Sequence, residues 1–263
     1  MPRLTLSAGI REFWGGPVVT LPANNSADTV QRLFNVPLGV RELLVIPSET
    51  ARITLCPRIL AAYLVTPTTT SRIGNLAQFL DPSEVTTIGT PLTTTTYLVL
   101  GCAQRVGGVW IDVGTVNAVA STPVLAVAEK PGVWTAVSVS SDGTTSGGAT
   151  LAVNGHMVWT APSATLWPAL NVKQMGGRYD DINEQVPMHW LRLSASATLT
   201  AGTSLNLIGA AHRDEAVTDA NGHSGFLAAT TEYSIPLTDE VGGVILRTRD
   251  ATAGTMTLTW IMR

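Results

Sequence analysis

Residues 255–262 read TMTLTWIM and alternate between apolar side chains and threonines up to Trp260. The apolar face consists of Met256, Leu258, Trp260 and Met262. Successive side chains of a β-strand point to opposite sides, so a period of two indicates a strand that buries one face. This stretch therefore predicts a β-strand packed on a core.

Short stretches of the same kind recur upstream, at residues 52–55, 109–113 and 190–193. Val, Thr, Ile, Leu and Trp come in short runs that Gly, Pro, Asn and Asp interrupt, a composition typical of strands and turns. One short helix is predicted at 75–80 (NLAQFL), where Asp81-Pro82 would end it.

Turn signals separate the apolar runs. Asn154-Gly155 lies between the runs 149–153 and 157–160, and Asn-Gly in such a position predicts a tight hairpin. A strand is likewise predicted at 134–140, ended by the turn signal Asp142-Gly143.

The predicted fold is all-β, an antiparallel β-sandwich or jelly roll. Threonine-rich runs at 66–71 and 93–96 indicate transitions from linker to strand. We expect an N-terminal β segment at 1–85, a jelly-roll-like sandwich at 86–200 and a C-terminal β segment at 201–263. The two outer segments would pack together as a second β unit, because the long final strands need partners.

Composition limits the classes of function. Charged residues make up 13% of the 263 residues and hydrophobic residues 45%. Such low charge in a soluble protein suggests that partner subunits cover part of its surface, although serine and threonine can also supply solubility. The net charge of −3 provides no bulk attraction for nucleic acid, so no nucleic acid partner is expected.

Neither a leader nor a membrane span is predicted. Residues 1–10 lack the basic start and long apolar core of a secretory signal, so synthesis in a cytoplasm is expected. No stretch of about 18 apolar residues is present, so no membrane partner is expected. Cys56 and Cys102 are too few for a disulfide framework and are either buried thiols or one bridge.

Residues 130–200 resemble concanavalin A-like and laminin-G-like jelly rolls. These domains carry a strand that begins with Trp, an Asp-Gly turn, a strand ending in Val-Asn-Gly, a glycine-rich turn and a further strand with a Leu-Ser or Leu-Thr end. The matching stretches are 134–139, 142–143, 151–155, 176–177, 190–194 and 199–200. The resemblance implies a sandwich in which Trp134 caps the core, but this chain has no residue-by-residue match to the calcium ligands of the family.

The whole chain is similar in texture to structural proteins of tailed bacteriophages, such as capsid decoration, spike and fibre proteins. Low charge, abundant Ala, Thr, Val and Gly, and the absence of a signal carry this resemblance. It implies a location in the virion, with other virion proteins and further copies of the same chain as partners.

No pattern of catalytic residues is present, so we expect no enzyme and no cofactor. The chain has no Gly-x-Ser-x-Gly nucleophile elbow, and its four histidines lack the spacing of helical metal ligands. Asp180, Asp181 and Glu184 form an acidic run that we interpret as a solvated loop, with a calcium site as the alternative.

Three of the seven tryptophans are candidates for exposure and ligand binding. Trp110 lies on the less apolar side of its strand beside Asp112, and Trp159 and Trp167 bracket a proline-containing loop. Aromatic faces stack on ligands and anchor interfaces. The prediction is therefore a non-enzymatic structural component of a phage particle. The alternative is a carbohydrate-binding module or adhesin that recognises a host-surface glycan.

Overall fold

The computed structural model describes residues 3–6, 11–21, 32–36, 39–72, 86–87, 92–171, 174, 186–211, 224–238, 241–248 and 254–262. In these residues the strands pair in antiparallel sheets and no α-helix is present. The predicted all-β, antiparallel fold is confirmed. The predicted helix at 75–80 lies outside the described residues.

The chain forms two compact units. Unit 1 comprises Met1–Cys56 and Asp214–Arg263, and unit 2 comprises Pro57–Arg213. Unit 2 is therefore an insertion in the chain of unit 1. The division falls at other positions than the predicted 85 and 200, because Ile59–Val65 pairs with Tyr97–Cys102 and Ser204–Ala211 pairs with Gly108–Val113, all within unit 2.

The first of the two sheets in unit 1 has five strands. In spatial order its strands are β1 (Arg3–Leu6), β2 (Arg11–Leu21), β20 (Gly254–Met262), β4 (Val40–Pro47) and β18 (Tyr233–Pro236). The final strand β20 thus lies between β2 and β4 and pairs with both along most of its length.

The alternation in β20 holds in its first half. Met256 and Leu258 are buried, and Thr255 and Thr257 are exposed. Ile261 is also buried although it belongs to the threonine face, so strict alternation ends at half-buried Trp260. The register with β4 shifts directly after Ile261.

The second layer of unit 1 is a four-stranded sheet. Its strands in spatial order are β17 (Ser224–Leu227), β5 (Ala51–Pro57), β19 (Val241–Thr248) and β3 (Arg32–Asn35). Residues of both sheets share one core, including Leu43, Val45, Ala51, Ile53, Val244, Leu246, Met256 and Leu258. Unit 1 is therefore a β-sandwich.

Unit 2 is a second sandwich, and its first sheet has five strands. In spatial order they are β13 (Val139–Asp142), β14 (Gly155–Trp159), β10 (Gly108–Val113), β16 (Ser204–Ala211) and β8 (Thr86–Thr87). The ladders of β10 with β14 and β16 form the centre of this sheet.

The second sheet of unit 2 has six strands. In spatial order they are β12 (Val133–Val137), β11 (Pro123–Lys130), β15 (His189–Ala195), β9 (Tyr97–Cys102), β6 (Ile59–Val65) and β7 (Thr70–Arg72). The core between the two sheets includes Leu98, Leu100, Val109, Ile111, Leu125, Val127, Met157, Leu191 and Leu193.

The predicted strand at 134–140 is divided between the two sheets of unit 2. Its first part belongs to β12 at the edge of the six-stranded sheet, and its second part to β13 at the edge of the five-stranded sheet. Ser138, which is exposed, separates the two. One chain segment therefore passes from sheet to sheet along one side of the sandwich.

Asn154-Gly155 does not form the predicted two-residue hairpin. Residues 143–154 form a longer connection between β13 and β14. Within this connection the Thr144 carbonyl accepts hydrogen bonds from the N–H groups of Ala152 and Val153 at 2.9 and 3.1 Å. The Asn154 side chain instead accepts a hydrogen bond from Val113 N–H at 2.8 Å.

The threonine-rich runs form turns that their own side chains stabilise. Thr66 Oγ1 accepts a hydrogen bond from Thr69 N–H at 2.9 Å in the turn between β6 and β7. Thr93 Oγ1 accepts one from Thr96 N–H at 3.0 Å just before β9. Hydroxyls commonly replace backbone acceptors in turns in this way, so both runs lead into strands inside unit 2.

Candidate functional site

Trp110 is buried, with 2% of its surface exposed, so the expectation of exposure is wrong. Its ring meets the ring of His156 edge-on with centroids 4.7 Å apart, because His156 lies directly opposite on β14. Both faces of β10 are therefore buried: one lies in the sandwich core, and on the other Trp110 packs against His156.

Trp159 and Trp167 are completely buried, so the expectation of exposure is wrong for them as well. Both belong to the core between the two sheets of unit 2. Trp167 Nε1 donates a hydrogen bond to the Trp190 carbonyl at 2.9 Å. In this structure none of the three predicted tryptophans presents a surface on which a sugar ring could stack.

Two aromatic residues and one arginine are accessible on the outer face of the six-stranded sheet, the face turned away from the shared core. Tyr97, Trp134 and Arg192, which we call the arginine platform, are all half-buried there. The Arg192 guanidinium carbon lies 4.9 Å from the centre of the Tyr97 ring and 5.2 Å from that of Trp134. Both distances are typical of cation–π contacts.

Strand register explains why these side chains meet. Trp134 lies opposite Ala128, and Arg192 lies opposite Ala126, so β11 runs between them. Ala126 and Ala128 are both buried although they lie on the outer face. The two small side chains allow Trp134 and Arg192 to cross β11, and the aliphatic stem of an arginine can cover such a surface.

The Arg192 guanidinium contacts the rings of Tyr97 and Trp134. Among the described residues, no carboxylate pairs with it and no acceptor takes a hydrogen bond from it. Glu129, on neighbouring β11, instead accepts a hydrogen bond from the Thr135 hydroxyl. The positive charge of Arg192 is therefore not neutralised within the described part of unit 2.

The other end of the outer face is sealed. Trp190 and Tyr63 are fully buried with ring centroids 6.2 Å apart, and Leu170 and Met188 belong to the same cluster. Trp190 Nε1 donates to the Leu170 carbonyl at 2.7 Å. The outer face thus has a closed end at Trp190 and an accessible end at the arginine platform.

A second accessible feature is the edge segment, which we define as residues 133–142. It includes the five residues of β12 and the four of β13, and it contains no charged residue before Asp142. Val133 is 37% exposed, and Ala136, Ser138 and Ser140 are exposed too. No described strand pairs with its outer side.

The opposite side of the same sandwich is constructed differently. On that side the described edge strands are β7 (Thr70–Arg72) and β8 (Thr86–Thr87). Charged side chains protect the sheet edges of proteins from pairing, whereas an uncharged edge invites it. The edge formed by β12 and β13 is therefore the described edge of unit 2 that is suited to bind another strand.

Burial controls the chemistry of the Cys102 thiol in unit 2. Burial raises the pKa of the Cys102 thiol to about 12, so this thiol stays protonated. Cys56 and Cys102 are both buried and form no disulfide. In the described part of the chain, no group of three or more His, Cys, Asp and Glu side chains could hold a metal ion.

The calcium alternative concerned Asp180, Asp181 and Glu184, which lie outside the described residues. No helix in the described ranges is long and apolar enough to cross a membrane.

Comparison with protein-family models, with curated proteins and with solved structures finds no match to this chain.

The arginine platform was missed in the sequence although a signal for it exists. Arg192 lies on the strand face opposite Leu191 and Leu193, and alanines recur at 126 and 128 in an otherwise bulkier strand. Small side chains at alternate positions of a strand leave room on that face for large side chains of the two neighbouring strands, here Trp134 and Arg192. This pattern predicts which face of the strand has room for large side chains. The order of the strands in the sheet is needed to show which aromatic side chains lie there.

Proposed function

We propose that this protein is a non-enzymatic structural component of a viral particle, of the phage decoration, spike or fibre type, that works through contacts between subunits. The edge segment is the observation that supports this proposal most directly. The proposed location of the protein in the virion rests on the compositional resemblance to tailed-phage proteins.

Pairing of two edge segments would satisfy backbone groups that no described strand pairs with. Each strand of an open sheet edge presents unpaired N–H and C=O groups, and a second strand supplies their partners. The exposed side chains at 133, 136 and 138 carry no charge, so approach of an identical edge meets no repulsion. Low overall charge, 13% of residues, agrees with a chain whose surface is covered in an assembly.

Light scattering over a concentration series tests this contact. We expect the wild-type chain to form a closed oligomer, and the double variant Val133→Glu/Ser138→Glu to shift toward monomer because like charges would face each other across the paired edges. Glutamate at 133 also lies opposite Lys130 in the register, so the fold itself should tolerate it.

The matched control is Val116→Glu/Ser163→Glu, which adds the same charge at exposed positions outside the edge segment; Val116 is 52% exposed. This control should retain the wild-type mass. A wild-type chain that is monomeric at every concentration contradicts edge pairing, and equal mass changes in both double variants contradict its location.

Location in the particle needs its own measurement. Mass spectrometry of virus particles purified on a density gradient should detect the chain in a fixed ratio to the major capsid protein. Its absence from purified particles would contradict the virion proposal even if the oligomer forms in solution.

A further inference from the structure

We propose that the arginine platform is a binding site for an acidic sugar, such as a uronic or sialic acid unit of a polysaccharide. The ligand carboxylate would bind the Arg192 guanidinium, and the sugar ring would lie against the accessible parts of Trp134 and Tyr97. This inference goes beyond the structural role proposed above, because it assigns a ligand to side chains of the sheet face, whereas subunit pairing uses the backbone of its edge.

The first argument is the chemical state of Arg192. The rings of Tyr97 and Trp134 contact the guanidinium and hold its orientation, but they take none of its five N–H donors. A guanidinium presents these donors as a planar fork that matches the two oxygens of a carboxylate. Arg192 is therefore a positioned anion receptor for which no described residue supplies the anion.

The second argument is how the face is constructed. Buried Ala126 and Ala128 let the platform lie across β11, and the buried Trp190 cluster closes the other end of the face. A small-molecule site usually combines aromatic surface with a few oriented polar groups. Among the described residues of this face, the accessible aromatic side chains Tyr97 and Trp134 lie beside the unpaired charge of Arg192.

The third argument selects a sugar acid over nucleic acid. A phosphate backbone is bound by several lysines and arginines together, and the net charge of this chain is −3. The platform offers one arginine. A single carboxylate on a ring matches one guanidinium between two aromatic side chains better than a chain of phosphates does.

Isothermal titration calorimetry on the full chain tests the site with five probes: an oligoglucuronate, an oligosialate, a neutral glucose oligosaccharide, sodium acetate and oligothymidine. At least one acidic oligosaccharide should bind about tenfold or more tightly than the neutral one, which is the scale of a charge-assisted bidentate contact. Affinity should fall as salt is added. Acetate should bind much more weakly, because it lacks the ring.

Two variants define the role of the guanidinium. Arg192→Gln should reduce affinity for the acidic oligosaccharide by about tenfold or more. Arg192→Lys, which keeps the charge but not the fork, should weaken binding to a smaller extent. Arg105→Gln is the matched control, because Arg105 contacts the Pro162 carbonyl elsewhere in unit 2 and should bind like wild type.

Several outcomes would overturn the proposal. Equal affinity for neutral and acidic oligosaccharides, or wild-type affinity in both Arg192 variants, would remove the guanidinium from recognition. Acetate binding as tightly as the oligosaccharides would leave an anion site without sugar specificity, and tighter binding of oligothymidine would favour nucleic acid. Light scattering on Arg192→Gln separates the two proposals, since loss of sugar binding should leave the subunit mass unchanged.

Discussion

The indole nitrogens of Trp159 and Trp167 differ although both side chains are fully buried. Trp167 Nε1 donates to the Trp190 carbonyl, whereas Trp159 Nε1 has no hydrogen-bond partner among the described residues. A buried polar group without a partner lowers stability, and removing one partner of a buried pair leaves the other unsatisfied. The same substitution should therefore have unequal effects at the two positions.

We predict that Trp167→Phe lowers the free energy of unfolding by about 1–2 kcal/mol more than Trp159→Phe does. Both changes remove similar volume, so the comparison isolates the hydrogen bond. Chemical denaturation of both variants measures the difference. A larger loss for Trp159→Phe would contradict the assignment.

His189 gives unit 2 a dependence on pH. Burial lowers the pKa of His189; the hydrogen bond to the Trp167 carbonyl opposes this effect, and the charge of Arg105 adds to it. Since a carbonyl only accepts, Nδ1 at 3.0 Å carries the proton and donates. The unfolded chain therefore binds a proton more readily than the folded chain below the ordinary value of 6.5.

It follows that the stability contributed by neutral His189 is fully present above pH 6.5 and is lost as the pH falls from there toward the lowered folded pKa. Thermal melts of wild type and His189→Asn between about pH 7.5 and about pH 5 should show a shallower decline for the variant, whose amide can donate in place of Nδ1–H but does not titrate. Parallel declines in the two proteins would exclude this residue as the source.

Among the elements, the connection between β13 and β14 depends on a close backbone approach. A Cβ atom added at Gly155 would collide with the backbone carbonyl of Gly143. Gly132, in contrast, has open space around it but a φ of 71°. The first glycine is required by space and the second by backbone conformation.

We expect Gly155→Ala to lower the free energy of unfolding by about 1–3 kcal/mol or more, because backbone must move to admit the methyl group. Gly132→Ala should cost about 1 kcal/mol from the left-handed conformation alone. Denaturant unfolding ranks the two variants. The reverse ranking would contradict the close approach.

Strands could be predicted from the sequence better than their partners could. The alternation at 255–262 correctly predicted β20 and its buried Met256 and Leu258. The pattern at 134–140 correctly predicted extended chain but not its division between two sheets at Ser138, because periodicity reports faces and not sheet membership. The predicted exposure of Trp110 was wrong for a related reason. The sequence does not show that a side chain of the neighbouring strand, His156, packs on the second face of β10.

At the scale of the whole molecule, the two units differ in continuity. Unit 2 uses the single stretch Pro57–Arg213, while unit 1 combines Met1–Cys56 with Asp214–Arg263. Unit 2 has its own core, shared by two sheets of its own strands. A domain with its own core can in principle fold alone.

We therefore predict that a fragment containing only residues 57–213 unfolds in one cooperative thermal transition, as measured by circular dichroism and calorimetry. Residues 1–56 alone should show no such transition, because β4 and β2 would lack β20 between them. A fragment 57–213 without a cooperative transition would show that unit 2 depends on unit 1.

The position of β20 between β2 and β4 also determines when this protein can be completed during translation. A ribosome adds roughly 5–20 residues per second, so β2 emerges on the order of ten seconds or more before the strand that must pair with it. Unit 2 can fold on the nascent chain during that delay, while β2 and β4 present apolar, unpaired edges. Chaperone binding to early nascent chains, and rapid degradation of products that stop before residue 254, are the cellular consequences to expect from this strand order.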